Sequence, residues 1–282
     1  MVCAACGMDL LWFFGKSGEY TYTKCLNCGT LQLSPMPDKL MIQKAYSGQY
    51  ERSGHNTESC WVAQPRNQAI MEIINQLQVR GKIIEIGCGQ GCLCQMMKEH
   101  GVDYIGFEIS ELYVQQCQEK GLNVVHGDIG SIPEESASVI IMIAVFEHLL
   151  DHDDFLDRCK KALKSDGVLI ILSPTAHFAS GLRKEDLQEL PKAHNLFHPP
   201  WHTVLFTIKG MRYLMARHGL RLKCVKISPP GNKKGLDKII RLFYIIINHI
   251  GFALTEEFPF IVSHIFIIAK SKGKGCNHKY IL

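Results

Sequence analysis

The sequence lacks the features that mark membrane-spanning and nucleic-acid-binding proteins. Its longest apolar run, Ile239 to Ile250, is interrupted by Arg241, Asn248 and His249. This run is far shorter than the roughly 20 residues that cross a bilayer, so we expect no transmembrane helix. The formal net charge is only +4 in 282 residues, and the basic residues are mostly scattered. Since nucleic-acid binders concentrate their basic residues in a patch, we expect no nucleic-acid partner.

A secretory signal is also lacking at the start of the sequence. Residues 1–10 contain paired cysteines and no basic region followed by an apolar stretch, which predicts a cytoplasmic protein. In a reducing compartment the 12 cysteines are expected to be metal ligands or buried thiols rather than disulfides. The 46% of hydrophobic residues can build a sizeable core, and the 21% of charged residues can cover its surface.

The patterning divides the chain into three parts. Residues 1–37 carry two cysteine pairs and β-forming residues and end at two prolines, which predicts a small β-rich module. Residues 38–80 have apolar residues at three- and four-residue spacing, which predicts a helical linker or cap. In residues 81–282, short β-branched runs alternate with amphipathic segments, as is typical of βαβ units around a parallel sheet. Residues 174–206 are expected to form a lid-like insertion, and residues 232–256 an apolar helical insertion.

In residues 81–282, the pattern of apolar residues predicts individual strands and helices. Strands are expected at residues 82–86, 103–107, 123–125, 139–144, 167–172, 221–227 and 260–269. Helices are expected at residues 92–99, 111–120, 154–163 and 207–218. The pair Asp166-Gly167 is predicted to end the third of these helices.

Three glycines lie where the first of these strands turns into a helix. Residues 87–91 read Gly-Cys-Gly-Gln-Gly. Glycine at such a turn permits positive φ and lets a ligand approach the backbone without a Cβ in the way. The third glycine comes too early for the Gly-x-Gly-x-x-Gly dinucleotide fingerprint, which weakens a nicotinamide or flavin site. The alternative is an ordinary tight turn.

Acidic residues follow the next two strands. Glu108 ends the second strand, where a carboxylate can accept hydrogen bonds from both hydroxyls of a ribose. Asp128 follows the third strand and, taken alone, would be a turn residue. In register with the glycine loop and Glu108, it is predicted to be a ligand.

These motifs resemble those of a known family. The pattern Glu-x-Gly-x-Gly-x-Gly at residues 85–91 resembles motif I of the class I S-adenosylmethionine-dependent methyltransferases. Residues 144–149, which contain Glu-His-Leu, and the His-containing residues 200–207 resemble segments of small-molecule methyltransferases. The resemblance spans about residues 82–226. It implies an α/β fold with a Rossmann-like, mostly parallel seven-stranded sheet flanked by helices.

The resemblance also implies a binding site for S-adenosylmethionine. In the family, an Asp at the position of Asp128 reaches the adenine amino group, and the next apolar residue packs on the ring. The residues expected to bind the cofactor are Glu85, Gly87, Cys88, Gly89, Gly91, Glu108, Ile109, Asp128, Ile129, Ala144 and Val145.

The two N-terminal cysteine pairs predict a zinc ribbon. Cys3-x-x-Cys6 and Cys25-x-x-Cys28 are separated by eighteen residues and are each followed by a glycine, a spacing typical of a four-thiolate zinc site. Chance pairing is the alternative. A closed shell of four cysteines leaves no open position for a substrate, so the expected role is structural. A module of about 35 residues buries little apolar area, so we expect Zn²⁺ to supply most of its stability.

The zinc ribbon resembles the N-terminal zinc-binding region of some bacterial methyltransferases, among them sugar C-methyltransferases. Other cysteines, including Cys88, Cys92 and Cys94 around the glycine loop, are expected to pack as small hydrophobes.

His148 and His202 are the candidate general bases, because both are expected at the carboxyl edge of the sheet, where ligands bind. The structural alternatives are a cap or backbone contact for His148 and packing on Trp201 for His202. His194 and His198 are weaker candidates. The expected reaction is in-line methyl transfer from S-adenosylmethionine to a small-molecule acceptor. A sugar nucleotide, a quinone or a similar ring, methylated at oxygen or carbon, would fit.

Two other functions remain open. An RNA methyltransferase could dock through the zinc ribbon, but Lys16 and Lys24 are the only cations in residues 1–35. A non-catalytic adaptor that binds S-adenosylmethionine is the other.

Residues 237–254 would form a helix that is apolar nearly all round, for which burial or a subunit contact is favoured over a weak membrane-surface contact.

Overall fold

The structure is a computed structural model that describes residues 1–42, 60–177, 188, 190, 196–231 and 263–270. The strands are β1 (Leu11–Ser17), β2 (Tyr20–Cys25), β3 (Leu31–Leu33), β4 (Ile83–Ile86), β5 (Tyr104–Glu108), β6 (Val124–His126), β7 (Ala137–Ile143), β8 (Leu163–Pro174), β9 (Val204–Leu205), β10 (Leu220–Ile227) and β11 (Ser263–Lys270). The helices are α1 (Cys60–Leu77), α2 (Cys92–Glu99), α3 (Glu111–Glu119), α4 (His152–Ala162) and α5 (Ile208–Arg217).

The main sheet has seven strands in the order β10-β11-β8-β7-β4-β5-β6. Strands β8, β7, β4, β5 and β6 pair in parallel, whereas β11 is antiparallel to both β8 and β10. This confirms the predicted α/β fold with a mostly parallel seven-stranded sheet. The carboxyl ends of β4, β5, β6 and β7 meet at one edge, which is where ligands bind in open sheets of this kind.

Two apolar layers cover the faces of the main sheet. One face packs against α1, α2 and α3, through buried residues such as Ile70 and Leu93. The other face packs against α4, α5 and the N-terminal cysteines, through residues such as Leu156 and Met211. The N-terminal cysteines and the layer formed by α4 and α5 therefore share one apolar cluster.

The sequence placed both ends of one helix wrongly. Helix α4 begins at His152 rather than at residue 154, because Asp151 caps it by accepting a hydrogen bond from the amide of Asp154 at 2.9 Å. It ends at Ala162, and Asp166-Gly167 lies inside β8 instead of ending the helix. The buried Leu163 starts that strand by pairing with Ala137 of β7.

The N-terminal module has a sheet of its own, with the order β1-β2-β3-β9. The fourth strand comes from residues 204–205, inside the segment expected to be a lid-like insertion, and it pairs antiparallel with β3. The end of that segment therefore belongs to the sheet of the module. Much of the rest of it, including His194, lies outside the described residues.

Other sequence predictions fall partly or wholly outside the described residues. These are residues 43–59 of the helical linker, the insertion at residues 232–256 and the apolar segment 237–254. Among the described helices, none has the length and hydropathy that crossing a membrane requires.

Candidate active site

The glycine loop lies between β4 and α2 at the carboxyl edge. Gly87, Gly89 and Gly91 have φ values of 69°, 53° and 75°, in the left-handed region that favours glycine. A Cβ on Gly87 would lie 2.5 Å from Cγ2 of Val145, and a Cβ on Gly91 would lie 2.6 Å from Cδ1 of Leu122. A Cβ on Gly89 would meet no atom within 4 Å. The outer two glycines are thus required by packing, whereas Gly89 faces open space that a ligand can fill.

Glu108 connects this loop to the end of β5. Its carboxylate is buried and accepts hydrogen bonds from the amide of Gly89 at 2.8 Å and from the amide of Ser110 at 2.9 Å. Each carboxylate oxygen has further acceptor capacity, so these bonds orient the group without exhausting it. Glu108 therefore lies where the sequence placed it, held beside the open side of the glycine loop.

The amides of the loop are mostly engaged within the protein. Those of Gly87 and Cys88 donate to the carbonyl of Phe107, at 2.8 and 3.3 Å. The loop therefore presents a ligand with bare backbone at Gly89 and the carboxylate of Glu108. The side chain of Cys88 is buried, and Gly106 lies close to its sulfur.

The residues after β5 and β6 complete this side of the edge. Asp128 is exposed, and its Oδ1 accepts a hydrogen bond from the amide of Gly130 at 2.8 Å. Ile129 is buried, whereas the side chain of Ile109 is 57% exposed directly after Glu108. An exposed aliphatic side chain beside a carboxylate suits the face of a purine ring. The positions of Ile109 and Asp128 are thus compatible with their expected roles.

Glu85 and Ala144 occupy different positions around the loop. Glu85 is buried in β4, where Sγ of Cys94 donates to its Oε2 at 3.2 Å. Burial raises the pKa of Glu85 to about 7. Ala144 follows β7 with a φ of 54° and is exposed beside Val145. Glu85 thus lies beneath the loop, whereas Ala144 is accessible at the edge.

The two candidate bases lie together at the end of β7. The rings of His148 and His202 are 5.0 Å apart between centroids. Nδ1 of His148 donates to the carbonyl of Trp201 at 3.0 Å, and Nδ1 of His202 donates to the carbonyl of Leu196 at 2.7 Å. Since a carbonyl only accepts, the lone pair of each neutral ring is on Nε2. Burial lowers the pKa of His148 to about 3 and lowers that of His202, which favours the neutral rings.

Sequence reasoning missed several residues that hold this pair. Thr203 donates from its amide and its hydroxyl to the carbonyl of Glu147, at 2.9 and 3.0 Å. Tyr22 of the N-terminal module donates to the carbonyl of His202 at 2.8 Å. The Glu147-His148 doublet, a few residues after a buried strand, was a signal that Glu147 matters. Nothing in the sequence pointed to Tyr22.

The four N-terminal cysteines form a compact cluster. One Sγ from each of Cys3, Cys6, Cys25 and Cys28 lies within 4.8 Å of the others, and two of the S–S distances are 3.6 Å. A tetrahedral zinc ion with Zn–S bonds of about 2.3 Å would separate its sulfurs by about 3.8 Å. Gly7 and Gly29, which follow the pairs, have φ values of 73° and 77°. The cluster is therefore a candidate four-thiolate metal site.

One expectation for the remaining cysteines is wrong. Cys92 forms a disulfide with Cys60, which links the start of α1 to the start of α2 across 32 residues of sequence. A side-chain pairing between two separate helices has no local sequence signature. Cys88 and Cys94 are buried as expected.

Comparison with known proteins places this geometry in a family. Residues 62–225, more than half of the chain, match the family described as a methyltransferase domain. The ubiquinone biosynthesis O-methyltransferase of Chelativorans sp. (strain BNC1) is 26% identical over 98 residues, which cover 32% of this chain and 39% of that protein. The matched stretch thus spans about two fifths of that relative.

Two solved methyltransferases share the fold. The 1,6-didemethyltoxoflavin-N1-methyltransferase of Burkholderia thailandensis superposes with a TM-score of 0.54 and 11% identity, covering 92% of this chain and 99% of that one. The magnesium protoporphyrin IX methyltransferase of Synechocystis PCC 6803 gives a TM-score of 0.52 at 15% identity, covering 83% and 100%. The family match, together with the seven-stranded sheet and the glycine loop at its carboxyl edge, shows that the chain belongs to the class I S-adenosylmethionine-dependent methyltransferases.

Proposed function

We propose that the protein transfers a methyl group from S-adenosylmethionine to a small-molecule acceptor. The observation that carries the proposal is the open space over Gly89 beside the buried Glu108 carboxylate. In the family a carboxylate at this position holds the ribose, while the adjacent glycine admits the adenosyl group. Ile109, Ile129 and Asp128 are proposed to contact the adenine.

The remaining cofactor-binding assignments follow the loop. Gly87, Cys88 and Gly91 would shape the turn, and Glu85 would support it from beneath. Ala144 and Val145 would line the side of the pocket next to the acceptor.

The histidine pair supports a role toward the acceptor. In-line transfer requires a nucleophilic atom aligned with the methyl carbon and the departing sulfur. An acceptor hydroxyl loses its proton, its oxygen bonds to the methyl carbon, and the C–S bond breaks with its electron pair passing to sulfur. S-adenosylhomocysteine and a methyl ether result. We propose that His148 and His202 act on the acceptor proton, directly as neutral bases or through a bound metal ion.

A cleft lined by His198 and Trp201, close in sequence to His202, is the proposed acceptor site. It has a volume of about 490 Å³ and runs between the β1–β2 turn and residues 197–201. Tyr20, Phe197 and Trp201 are among its lining side chains. Aromatic walls favour a planar or ring-shaped acceptor, such as a quinone or a nucleotide base.

The cysteine cluster is proposed to hold Zn²⁺ in a structural role. Four thiolates close the coordination shell, so no substrate can reach the ion. Its effect on the reaction would be indirect, through the contact between Tyr22 and His202.

Calorimetry with S-adenosylhomocysteine tests the proposal. Wild-type protein should bind it, and Glu108→Gln should bind at least about tenfold more weakly, since hydrogen bonds to a charged group contribute about 1.5–3 kcal/mol. Glu111→Gln, an exposed position in the first turn of α3, is the matched control and should bind like wild type. Absence of binding to wild type, or equal affinity in Glu108→Gln, would refute the cofactor site. Transfer of labelled methyl to metabolites of a cell extract then tests turnover.

A further inference from the structure

We propose that Glu147, His148 and His202 form a second metal site, which takes a divalent first-row transition metal. One ligand atom from each of the three side chains lies within 4.8 Å of the other two. The group lies at the carboxyl end of β7, at the same edge as the glycine loop. The catalytic role given to this site rests on the proposed function, whereas its metal binding does not.

The histidines have the hydrogen bonds that metal-binding histidines use. Both rings donate from Nδ1 to backbone carbonyls, of Trp201 and Leu196. Such a bond fixes the tautomer and the ring orientation and directs the lone pair of Nε2 to a metal. Two histidines oriented in this way 5.0 Å apart supply two nitrogen ligands.

Glu147 supplies the carboxylate. Its side chain is 1% exposed, and its Oε2 accepts a hydrogen bond from the Ser173 hydroxyl at 3.0 Å. The positive charge of Arg66 also acts on this carboxylate. A buried carboxylate is costly unless it is paired or coordinates a metal. A divalent cation bound to Glu147 would place a second positive charge directly on the group.

The three ligands are held in place from two directions. Glu147 and His148 lie in a short 3-10 turn a few residues after β7. His202 is bound to that segment through Thr203, which hydrogen-bonds to the carbonyls of Glu147 and Leu149. Tyr22 holds the His202 carbonyl from the N-terminal module. Ligands with restrained positions lower the cost of assembling a metal site.

The donor set differs from that of the cysteine cluster. Two imidazoles and a carboxylate suit Zn²⁺, Fe²⁺ or Co²⁺, and three protein ligands leave positions open for water or substrate. A divalent ion there would lower the pKa of a coordinated hydroxyl. With both Nε2 atoms bound to the ion, the histidines would act through it, and the proton of the coordinated hydroxyl would pass to solvent water. The acceptor would then be an oxygen nucleophile, which corresponds to an O-methylation.

Metal stoichiometry tests the proposal on the full chain. With Zn²⁺ in the cysteine cluster, wild type should bind a second equivalent of Zn²⁺ or Co²⁺, measured by elemental analysis after gel filtration. His202→Ala and Glu147→Gln should lose this equivalent and retain the first. His198→Ala removes a ring 6.0 Å from that of His202 but outside the three ligands, and it should retain both. Circular dichroism identifies any variant that fails to fold.

The titration of wild type keeps the test decisive even if a variant misfolds. Co²⁺ at the second site should give weak visible bands without the intense thiolate charge-transfer absorption of the cysteine cluster. A single bound equivalent in wild type, or a second one that persists in both variants, would overturn the inference. Binding of S-adenosylhomocysteine to metal-depleted protein is measured separately. If S-adenosylhomocysteine binds but wild type takes up no second metal ion, the second metal site is refuted and the proposed function stands.

Discussion

The hydroxyl of Tyr22 donates a hydrogen bond to the backbone carbonyl of His202, 2.8 Å away. These residues are 180 positions apart in sequence, one on β2 of the cysteine module and the other at the edge of the α/β sheet. Leu33 of β3 adds a second bond from its amide to the carbonyl of Thr203 at 2.9 Å. The module therefore takes part in placing a candidate active-site residue.

Tyr22→Phe should lower turnover more than it lowers cofactor affinity. The substitution leaves the ring packing in place but removes a buried hydrogen bond, at an expected cost of about 1 kcal/mol in unfolding free energy. Urea unfolding, methyl-transfer rates and calorimetry with S-adenosylhomocysteine measure the three effects. Tyr213→Phe, at a site 41% exposed on α5, is the control and should change none of them. Full turnover in a destabilised Tyr22→Phe would limit the contact to a structural role.

Gly89→Ala should weaken cofactor binding. Its cost in stability should equal that of the same substitution at a remote glycine, Gly101. Gly89 and Gly101 both have positive φ, 53° and 65°, and at neither would a Cβ meet an atom within 4 Å. Alanine at either should therefore cost about 1 kcal/mol of backbone strain. Only the alanine at 89 would fill the space proposed for the adenosyl group. Equal affinity of both variants for S-adenosylhomocysteine would place the ligand elsewhere.

Removal of metal from the cysteine cluster should destabilise the whole described structure. The Thr207 hydroxyl donates to the carbonyl of Cys28, and the Arg217 guanidinium donates to the carbonyl of Ala4 at 3.0 Å. The module and α5 share an apolar cluster, so unfolding of the module should also destabilise α5 and the sheet beneath it. Scanning calorimetry should show a lower Tm for Cys6→Ser but not for Cys224→Ser, a partly exposed thiol on β10. An unchanged Tm in chelated protein would contradict the prediction.

Stability should fall as the pH drops from about 6.5 towards 4, in part because of His152. Its ring is buried, Nε2 donates to the carbonyl of Phe146 at 2.9 Å, and burial lowers its pKa to about 4 despite the nearby Asp151 and Asp153. The unfolded state therefore binds the proton first, so the stabilisation is complete above pH 6.5 and is lost below it.

The loss assigned to His152 is on the order of 3 kcal/mol at pH 4. His152→Gln keeps a side-chain donor and does not titrate, so its urea midpoint should vary less with pH than that of wild type. An identical pH dependence in both proteins would assign the acid sensitivity to other groups.

Opening the disulfide should lower the free energy of unfolding. The Cys60–Cys92 bond closes a loop over 32 positions, which corresponds to between about 3 and 4 kcal/mol in the chain-entropy treatment. Cys60→Ser changes an exposed residue and should reproduce the effect of a reductant in urea unfolding. Mass spectrometry after alkylation shows whether the bond is present. A variant as stable as oxidised wild type would contradict this contribution.

Local patterns in the sequence determined much of the fold. The period of the apolar residues located β4, α2 and the later strands to within a few residues, because each element buries its own face. The glycine loop and Glu108 were predictable for the same reason, since a strand, its turn and the next helix are contiguous. The clustering of the four N-terminal cysteines was predictable because a four-thiolate metal site restricts the spacing of the residues within each Cys-x-x-Cys pair.

Contacts between distant segments were decided only by the tertiary structure. Neither the pairing of β9 with β3, nor the Cys60–Cys92 bond, nor the contact between Tyr22 and His202 has a signature within one segment. Each depends on how the chain returns to the same place, and apolar periodicity does not encode which faces meet. The meeting of Glu147, His148 and His202 is of this kind, because Thr203 joins two segments that the sequence separates by more than fifty residues.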